Sequence, residues 1–166
     1  MHSNLSEKIF SFFHRIIEKQ YHLRRLSKIL TKLNGTKNPI IFDVGGNEGE
    51  SIDFFLSLFE NPTIYSFEPE KKSYQKLLKK YEKNKAINLF NLAFGNKKEE
   101  LKLKINIKSS TSTFSKINAH SKYYSLKSSI LNPGKNDAFL GEEKVQVEKV
   151  DNFFNENKIN TIHILK

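Results

Sequence analysis

The chain has 166 residues, of which 37% are hydrophobic and 28% are charged, a composition typical of one globular domain and not of a disordered chain. It has no cysteine, which excludes a disulfide framework and a thiolate metal site. No apolar run is long enough to span a bilayer, and charge interrupts the N-terminal apolar pattern, so we expect a cytoplasmic protein.

The basic charge of the chain is concentrated near its start. The formal net charge is +10, and residues 1–37 hold eight of the 28 Lys and Arg residues but only two of the 18 acidic ones. Such a charge suggests nucleic acid as a partner. However, the arginines are limited to Arg15, Arg24 and Arg25, and arginine is the better bidentate reader of phosphates and base edges. We therefore do not expect nucleic acid.

Residues 3–33 are predicted to form one basic amphipathic helix. Leucine, isoleucine and phenylalanine recur there at spacings of three and four residues, and "NGTKNP" ends the pattern. The helix either packs across the main domain or lies on an anionic membrane surface or a partner. Residues 1–37 are taken as this N-terminal segment, and residues 38–166 as the main domain.

From Pro39 onward, strand and helix patterns alternate. Three apolar runs are predicted to be strands: "PIIFDV", "TIYSFE" and "AINLFNLAF". Helical spacing separates them in "NEGESIDFFLSLFE" and "EKKSYQKLLKKYEKN". This order predicts an α/β fold with parallel βαβ units and helices covering the sheet. The second helix is expected to bury Tyr74, Leu77, Leu78 and Tyr81.

The pattern changes after the third strand. Gly95 and Asn96 are predicted to turn a hairpin into "ELKLKINIK", whose strict alternation indicates a half-exposed strand. Residues 108–142 are predicted to be a long polar excursion, with "NPGKN" as a turn. Then come an alternating strand in "EKVQVEKV", a short helix in "DNFFNEN" capped by Asp151, and a last strand in "INTIHILK". The apolar face of "ELKLKINIK" consists of Leu101, Leu103, Ile105 and Ile107.

The first candidate site is the glycine loop between the first strand and the first helix. Gly45, Gly46 and Gly49 suit a tight turn that lets a ligand approach the backbone and the N–H groups of the helix start. The dinucleotide fingerprint G-x-G-x-x-G is not matched, because Asn47 and Glu50 stand at its second and third glycines. This mismatch argues against an NAD-dependent oxidoreductase.

Two carboxylates end consecutive strands beside this loop. Asp43 can hold, directly or through water, the ammonium group of an amino-acid moiety. Glu68 ends the next strand and is placed to accept hydrogen bonds from both hydroxyls of a ribose. S-Adenosylmethionine has an amino acid at one end and a nucleoside at the other, and it is the cofactor that this pair predicts.

Three stretches resemble the FkbM-type methyltransferases, a branch of the class I S-adenosylmethionine-dependent enzymes: "FDVGGNEGESIDFFLSLF", "IYSFEPEKKSYQKLLKK" and "NLFNLAFGNKKEELKLKI". The text of that family is close to D-V-G-A-N-x-G, then F-E-P, then A-x-G-x before an alternating strand, so Gly46 stands where alanine is commoner. The resemblance spans about residues 39–166. It implies a Rossmann-like class I methyltransferase sheet and O-methylation of a hydroxyl on a sugar, glycan or secondary metabolite.

The resemblance also implies roles for individual residues. "SSTSTFS", Ser109 to Ser115, resembles a Ser-rich segment near the active-site opening of the family, or else it is a solvated loop. The residue that would remove the proton is not assigned, and His120 and His163 are candidates. The cofactor-binding residues would be Asp43, Gly45, Gly46, Asn47 and Gly49 at the methionine end, Glu68 at the ribose, and Pro69, Ala93 and Phe94 on the adenine side.

The sequence departs from the family at its end. The family continues after "IHILK" with a segment like K-I-D-V-E-G, and this chain ends at Lys166. We therefore expect a partial domain from a longer product, the alternatives being a chain that needs a partner or an inactive one. The alternative function is a non-catalytic binding module, against which the retained Asp43, Gly49 and Glu68 argue. The expected partner is a small-molecule or glycan acceptor.

Overall fold

The structure, a computed structural model, describes residues 27, 28, 30, 37–115, 118, 121–131 and 139–166. Ser27, Lys28 and Leu30 are helical, and the rest of the predicted helix 3–33, with its membrane contact, lies outside the described residues. His120 and "NPGKN" lie outside them as well. No helix within the described ranges is long and apolar enough to cross a membrane.

The main sheet has four strands in the order β3-β2-β1-β7, all parallel. Helix α1 connects β1 to β2, and helix α2 connects β2 to β3. The predicted parallel βαβ units are therefore confirmed. These elements are β1 (Ile40–Val44), α1 (Glu50–Leu58), β2 (Thr63–Phe67), α2 (Lys71–Tyr81), β3 (Ile87–Phe90) and β7 (Ile164–Leu165).

A smaller sheet has three strands in the order β4-β6-β5. Strand β5 pairs antiparallel with β6 over almost its whole length, and β4 pairs with β6 in parallel. Helix α3 precedes β6, and helix α4 follows it. The elements are β4 (Ala93–Phe94), β5 (Glu99–Asn106), a 3₁₀ turn (Ser109–Thr111), α3 (Lys122–Leu131), β6 (Phe139–Glu148) and α4 (Val150–Asn157).

The main sheet is covered on both faces, because its strands are apolar at consecutive positions and successive side chains point to opposite sides. On one face, Ile41 packs with apolar residues of α1 and with Leu77 of α2. On the other face, Phe42 and Phe67 pack with Phe153 of α4, whose ring stands edge-on to that of Phe67 at a centroid distance of 4.9 Å. This packing on both faces fixes the positions of the carboxyl ends of the strands.

Several predictions about connections were wrong. "AINLFNLAF" divides into β3 and β4, which belong to different sheets. Gly95 and Asn96 join β4 to β5, but these strands flank β6 on opposite sides and form no hairpin. Residues 108–142 are not a single excursion, since they contain α3 and the start of β6.

Three predictions about side chains were also wrong. Leu78 is 42% exposed on α2, because the buried face of that helix passes through Ser73, Leu77 and Tyr81. Ile107 is exposed, since the register shifts at the end of β5 and turns Asn106 inward instead. Asp151 lies within the first turn of α4, where the N-cap position is held by Lys149.

Candidate functional site

The glycine loop lies at the carboxyl ends of the strands of the main sheet, directly after β1. Gly45 and Gly49 have φ values of 85° and 83°, in the left-handed region that favours glycine. Gly49 is the N-cap of α1, and a Cβ added there would overlap the Tyr81 hydroxyl. The Phe67 carbonyl accepts the N–H of Gly45 at 2.8 Å and that of Gly46 at 3.1 Å, so the loop is held against the end of β2.

Asp43 is fully buried beneath this loop, and its carboxylate is surrounded by donors of the chain itself. Oδ1 accepts the Ser51 hydroxyl at 2.8 Å, and Oδ2 accepts the Ser66 hydroxyl at 3.0 Å. The Lys166 ammonium lies 2.9 Å from Oδ1 and donates to the Gly45 carbonyl, also at 2.9 Å. The ammonium that Asp43 contacts therefore belongs to Lys166, in the place that the sequence assigned to a ligand.

Gly46 has no space for a side chain. An added Cβ would overlap the Ser66 hydroxyl and would lie 3.1 Å from a Leu77 methyl carbon. The Ser66 hydroxyl cannot easily withdraw, because it donates to Asp43. Glycine at this position is therefore a consequence of Ser66, whose hydroxyl lies where a Cβ of residue 46 would be.

Glu68 directly follows β2 and is only 7% exposed. Its Oε2 accepts the Asn47 N–H at 2.7 Å, and its Oε1 accepts the Glu70 N–H at 2.8 Å. Burial raises the pKa of Glu68, while these two N–H groups partly oppose the increase. An ionised carboxylate offers about four lone-pair sites, so each oxygen can accept a further donor.

A cavity of about 570 Å³, hereafter the first cavity, opens beside the glycine loop. Its volume is in the range of small-molecule sites. One wall consists of apolar side chains of α1 and β7, and the other consists of the glycine loop and Lys166. The described residues that line it are Leu30, Gly45, Gly46, Asn47, Glu50, Ser51, Phe54, Phe55, Ser110, Ile164, Leu165 and Lys166.

A second cavity of about 420 Å³ lies between the start of α2 and the far end of β5. Asn47, Glu50 and Ser110 line both cavities, which therefore adjoin each other. The Ser109 hydroxyl donates to the Asn47 side-chain oxygen at 2.6 Å. The Ser-rich segment thus contacts the glycine loop, as expected of a segment near the site opening.

The residues predicted for the adenine side line neither cavity, and the same holds for Asp43, Gly49 and Glu68. The Pro69 carbonyl accepts the Asn91 side-chain amide at 2.9 Å. Ala93 is buried in the core of the smaller sheet, and the Phe94 ring packs against that of Phe67 at a centroid distance of 4.5 Å. Their contact with a cofactor stays a prediction.

His163 is not at the site. Its backbone N–H and its Nδ1 both bond to the backbone of Ile40, at 2.9 Å and 3.0 Å. Ile40 begins β1, whereas the glycine loop follows the other end of that strand. The hypothesis that His163 removes a proton from the substrate is therefore wrong, because the imidazole lies at the opposite edge of the sheet.

Sequence reasoning missed four residues of the site: Ser51, Ser66, Glu70 and Lys166. Only Ser66 carried a usable signal, since aligning β1 with β2 places it directly beside Asp43. The contacts of Ser51 and Lys166 depend on how a helix and a distant strand pack beside the glycine loop, which periodicity does not predict. The Glu70 N–H bonds to Glu68, two residues away.

Comparison with known proteins gives one clear match. A model of the methyltransferase FkbM domain matches residues 43–166. No curated protein matches the chain. Among solved structures, a fibrillarin/Nop5p complex matches with 12% identity over 72% of this chain and 79% of that one. Its TM-score is 0.31, and so distant a likeness carries no argument.

Proposed function

The chain belongs to the FkbM methyltransferase family, and from that premise we propose that it uses S-adenosylmethionine to methylate a hydroxyl group. The observation that carries the proposal is the closure of the glycine loop onto Glu68, whose Oε2 accepts the Asn47 N–H at 2.7 Å. A backbone shaped for close approach and a carboxylate suited to ribose hydroxyls thus meet at the ends of two adjacent parallel strands.

The residues at this edge fit the two ends of such a cofactor. The first cavity is lined by Gly45, Gly46 and Asn47 of the glycine loop and by Lys166. We assign the Lys166 ammonium to the carboxylate of the methionine moiety and the free lone pairs of Glu68 to the ribose hydroxyls. Asp43 acts through Lys166, since its own carboxylate is fully buried.

When bound, the cofactor would supply a sulfonium methyl group: the acceptor oxygen would bond to the methyl carbon as the carbon–sulfur bond breaks, leaving S-adenosylhomocysteine and a proton released from the hydroxyl. The chain contributes binding, orientation and exclusion of water. Phe54, Phe55 and Ile164 give the first cavity an apolar wall, and burial holds Glu68 in one orientation. The acceptor class, a sugar, glycan or secondary-metabolite hydroxyl, rests on membership of the family.

Calorimetric titration with S-adenosylhomocysteine tests this proposal. We expect micromolar binding by the chain and a loss of at least about tenfold in Glu68→Ala, the usual cost of losing a hydrogen bond to a charged group. The matched control is Glu60→Ala, which removes an exposed carboxylate just before β2, at the opposite edge of the sheet. Folded protein that binds no S-adenosylhomocysteine would contradict the proposal and leave the non-catalytic module as the function.

A further inference from the structure

Helix α3 exposes apolar side chains and buries a polar one. Tyr123, Leu126 and Ile130 are 74%, 62% and 69% exposed, and their spacings of three and four residues place them on one face of the helix. Ser128 falls on the opposite side of the helix and is fully buried. A surface helix normally turns its apolar face toward the core. The three exposed residues, hereafter the α3 face, therefore mark an interaction surface.

The sequence around α3 is basic throughout. Residues 103–136 contain six lysines and no aspartate, glutamate or arginine, which gives them a formal charge of +6. Lys122 begins α3 directly beside Tyr123, and its side chain is exposed. It forms no ion pair with any residue that the structure describes. The α3 face thus combines apolar side chains with positive charge that the chain itself does not neutralise.

Helix α2 also carries many lysines, but it lacks this combination. Lys76 pairs with Glu48 at 3.1 Å, and Lys80 pairs with Asp53 at 2.6 Å. Within α2, all of which the structure describes, Leu78 is the only large apolar side chain that is exposed. A single exposed leucine among paired charges is ordinary for a protein surface. The α3 face therefore differs from the other lysine-rich helix in both respects.

Charge selects the occupant of the α3 face. Residues 1–37 hold eight Lys and Arg residues and two acidic ones, so they would bring like charge to it. A second copy of the chain would bring the same lysines. Nucleic acid is negative, but exposed leucine and isoleucine do not bind phosphates, and residues 103–136 contain no arginine. An anionic lipid surface offers both negative charge and an apolar layer.

We propose that the α3 face binds the surface of an anionic phospholipid bilayer. Leu126 and Ile130 enter the boundary between headgroups and acyl chains, and Tyr123 lies at headgroup level, where its ring is apolar and its hydroxyl is hydrated. The Lys122 ammonium meets the lipid phosphates, while its alkyl stem covers apolar surface. The helix has 10 residues, so it lies on the bilayer without spanning it.

This contact is independent of the proposed function. None of Lys122, Tyr123, Leu126 and Ile130 lines the first or the second cavity. Binding of S-adenosylhomocysteine is measured without lipid, and binding of lipid is measured without S-adenosylhomocysteine. The failure of one proposal therefore leaves the other standing.

A tryptophan probe tests where the chain contacts lipid, because the sequence contains no tryptophan of its own. Leu126→Trp places the probe on the α3 face, and Leu78→Trp, at an exposed position of α2, is the matched control. Both full-length proteins are titrated with vesicles of phosphatidylcholine alone or mixed equally with phosphatidylglycerol. We expect a shift of Leu126→Trp emission to shorter wavelength and protection from acrylamide with the anionic vesicles only, and neither effect for Leu78→Trp.

Co-sedimentation of the unmodified chain with the same vesicles measures binding without a probe. Leu126→Ser combined with Ile130→Ser should weaken binding to the anionic vesicles at least about tenfold, because two aliphatic side chains no longer leave water. Leu78→Ser should leave binding unchanged. All three proteins should unfold at similar temperatures, since the substituted side chains are exposed.

Several results would overturn the inference. One is failure of the unmodified chain to sediment with anionic vesicles, and another is equal binding to neutral and anionic vesicles. Equal emission shifts from Leu126→Trp and Leu78→Trp would show adsorption without a defined face. Binding that survives Leu126→Ser with Ile130→Ser, but is abolished by Ile9→Ser with Phe12→Ser, would assign the membrane contact to the predicted helix 3–33 instead.

Discussion

At the scale of single residues, the site is organised around the buried carboxylate of Asp43. Two serine hydroxyls and the Lys166 ammonium occupy its oxygens, and the glycine loop rests on this cluster. Removing one partner of a buried charge is costly, because the remaining group stays away from water without compensation. The loop geometry therefore depends on Asp43, Ser51 and Ser66, to which the proposed function assigns no ligand contact.

Gly46→Ala should destabilise the fold by about 1–3 kcal/mol, the usual cost of overpacking, because the new methyl group overlaps the Ser66 hydroxyl. Ser66→Ala removes that hydroxyl and also a donor to Asp43, so it costs stability by itself. The double variant should be less destabilised than the sum of the single variants, since the overlap is gone. Urea unfolding of the four proteins measures this coupling, and strictly additive losses would contradict it.

Lys166→Met should weaken S-adenosylhomocysteine binding about tenfold, because the cation that lines the first cavity is lost. Binding of 5′-methylthioadenosine, which lacks the amino-acid moiety, should change by less than about threefold. Calorimetry with both ligands, below the unfolding temperature of the variant, makes the comparison. Equal weakening of both ligands would show that Lys166 supports the fold instead of contacting the methionine end.

At the scale of secondary-structure elements, a single hydroxyl of α2 contacts both the glycine loop and α1. The Tyr81 oxygen lies 2.9 Å from the Gly49 carbonyl and 2.7 Å from Asp53 Oδ1. Burial, together with the hydrogen bond to Asp53, raises the pKa of Tyr81 from 10.0 to about 12. The neutral hydroxyl is the form that the fold favours. Its contribution to stability is complete below pH 10 and is lost as the pH rises from about 10 toward 12.

Tyr81→Phe should therefore cost about 1 kcal/mol at pH 8, the net contribution of a buried hydrogen bond. Between pH 10 and pH 12 the difference from the unmodified chain should shrink, because the chain loses there what the variant already lacks. Urea unfolding across this range measures it. A difference that stays constant with pH would mean that the hydroxyl does not titrate as a buried group.

The contacts of Glu148, between β6 and α4, give stability the opposite pH dependence. Glu148 ends β6, and its carboxylate pairs with Lys98 at 2.8 Å and accepts the Lys149 N–H and the Asn152 amide. The Lys98 ammonium and these two donors lower the pKa of Glu148 from 4.5 to about 2. The resulting stability is present above about pH 4.5 and is lost as the pH falls toward 2.

Glu148→Gln should be less stable than the unmodified chain at pH 7, since it lacks the charge that these donors meet. Its stability should also fall less steeply between pH 4.5 and pH 2. Acid unfolding followed by circular dichroism distinguishes the two proteins, with Glu60→Gln as an exposed control. Parallel acid-unfolding profiles for all three proteins would contradict this role of Glu148.

At the scale of the whole molecule, the main sheet was predictable and the smaller sheet was not. The runs that form β1, β2 and β3 alternate with helical patterns, and short crossovers between parallel strands leave few other topologies. Strand β4 pairs with β6, and Ala93 of β4 lies opposite Val147 of β6. Strand β5 and helix α3 separate these two residues in the sequence, so no local pattern indicates the pairing. The loop after β1 was predictable from its glycines.

The candidate site was predictable to the same extent. Asp43, the glycines and Glu68 were identified because strand ends and turns have local signatures. The ion pair of Lys166 with Asp43 was missed, since it joins two strands that are distant in sequence. The burial of Asn106 was missed as well, because it depends on a register shift in β5.

A cycle of four calorimetric titrations measures the proposed contact between Glu68 and a ribose hydroxyl directly. S-Adenosylhomocysteine and its 2′-deoxy analogue are titrated into the unmodified chain and into Glu68→Ala. We predict that removing either partner weakens binding by about tenfold or more, and that removing both weakens it little further, because the same hydrogen bond is lost. Losses that multiply would contradict the claim and would place the ribose away from Glu68.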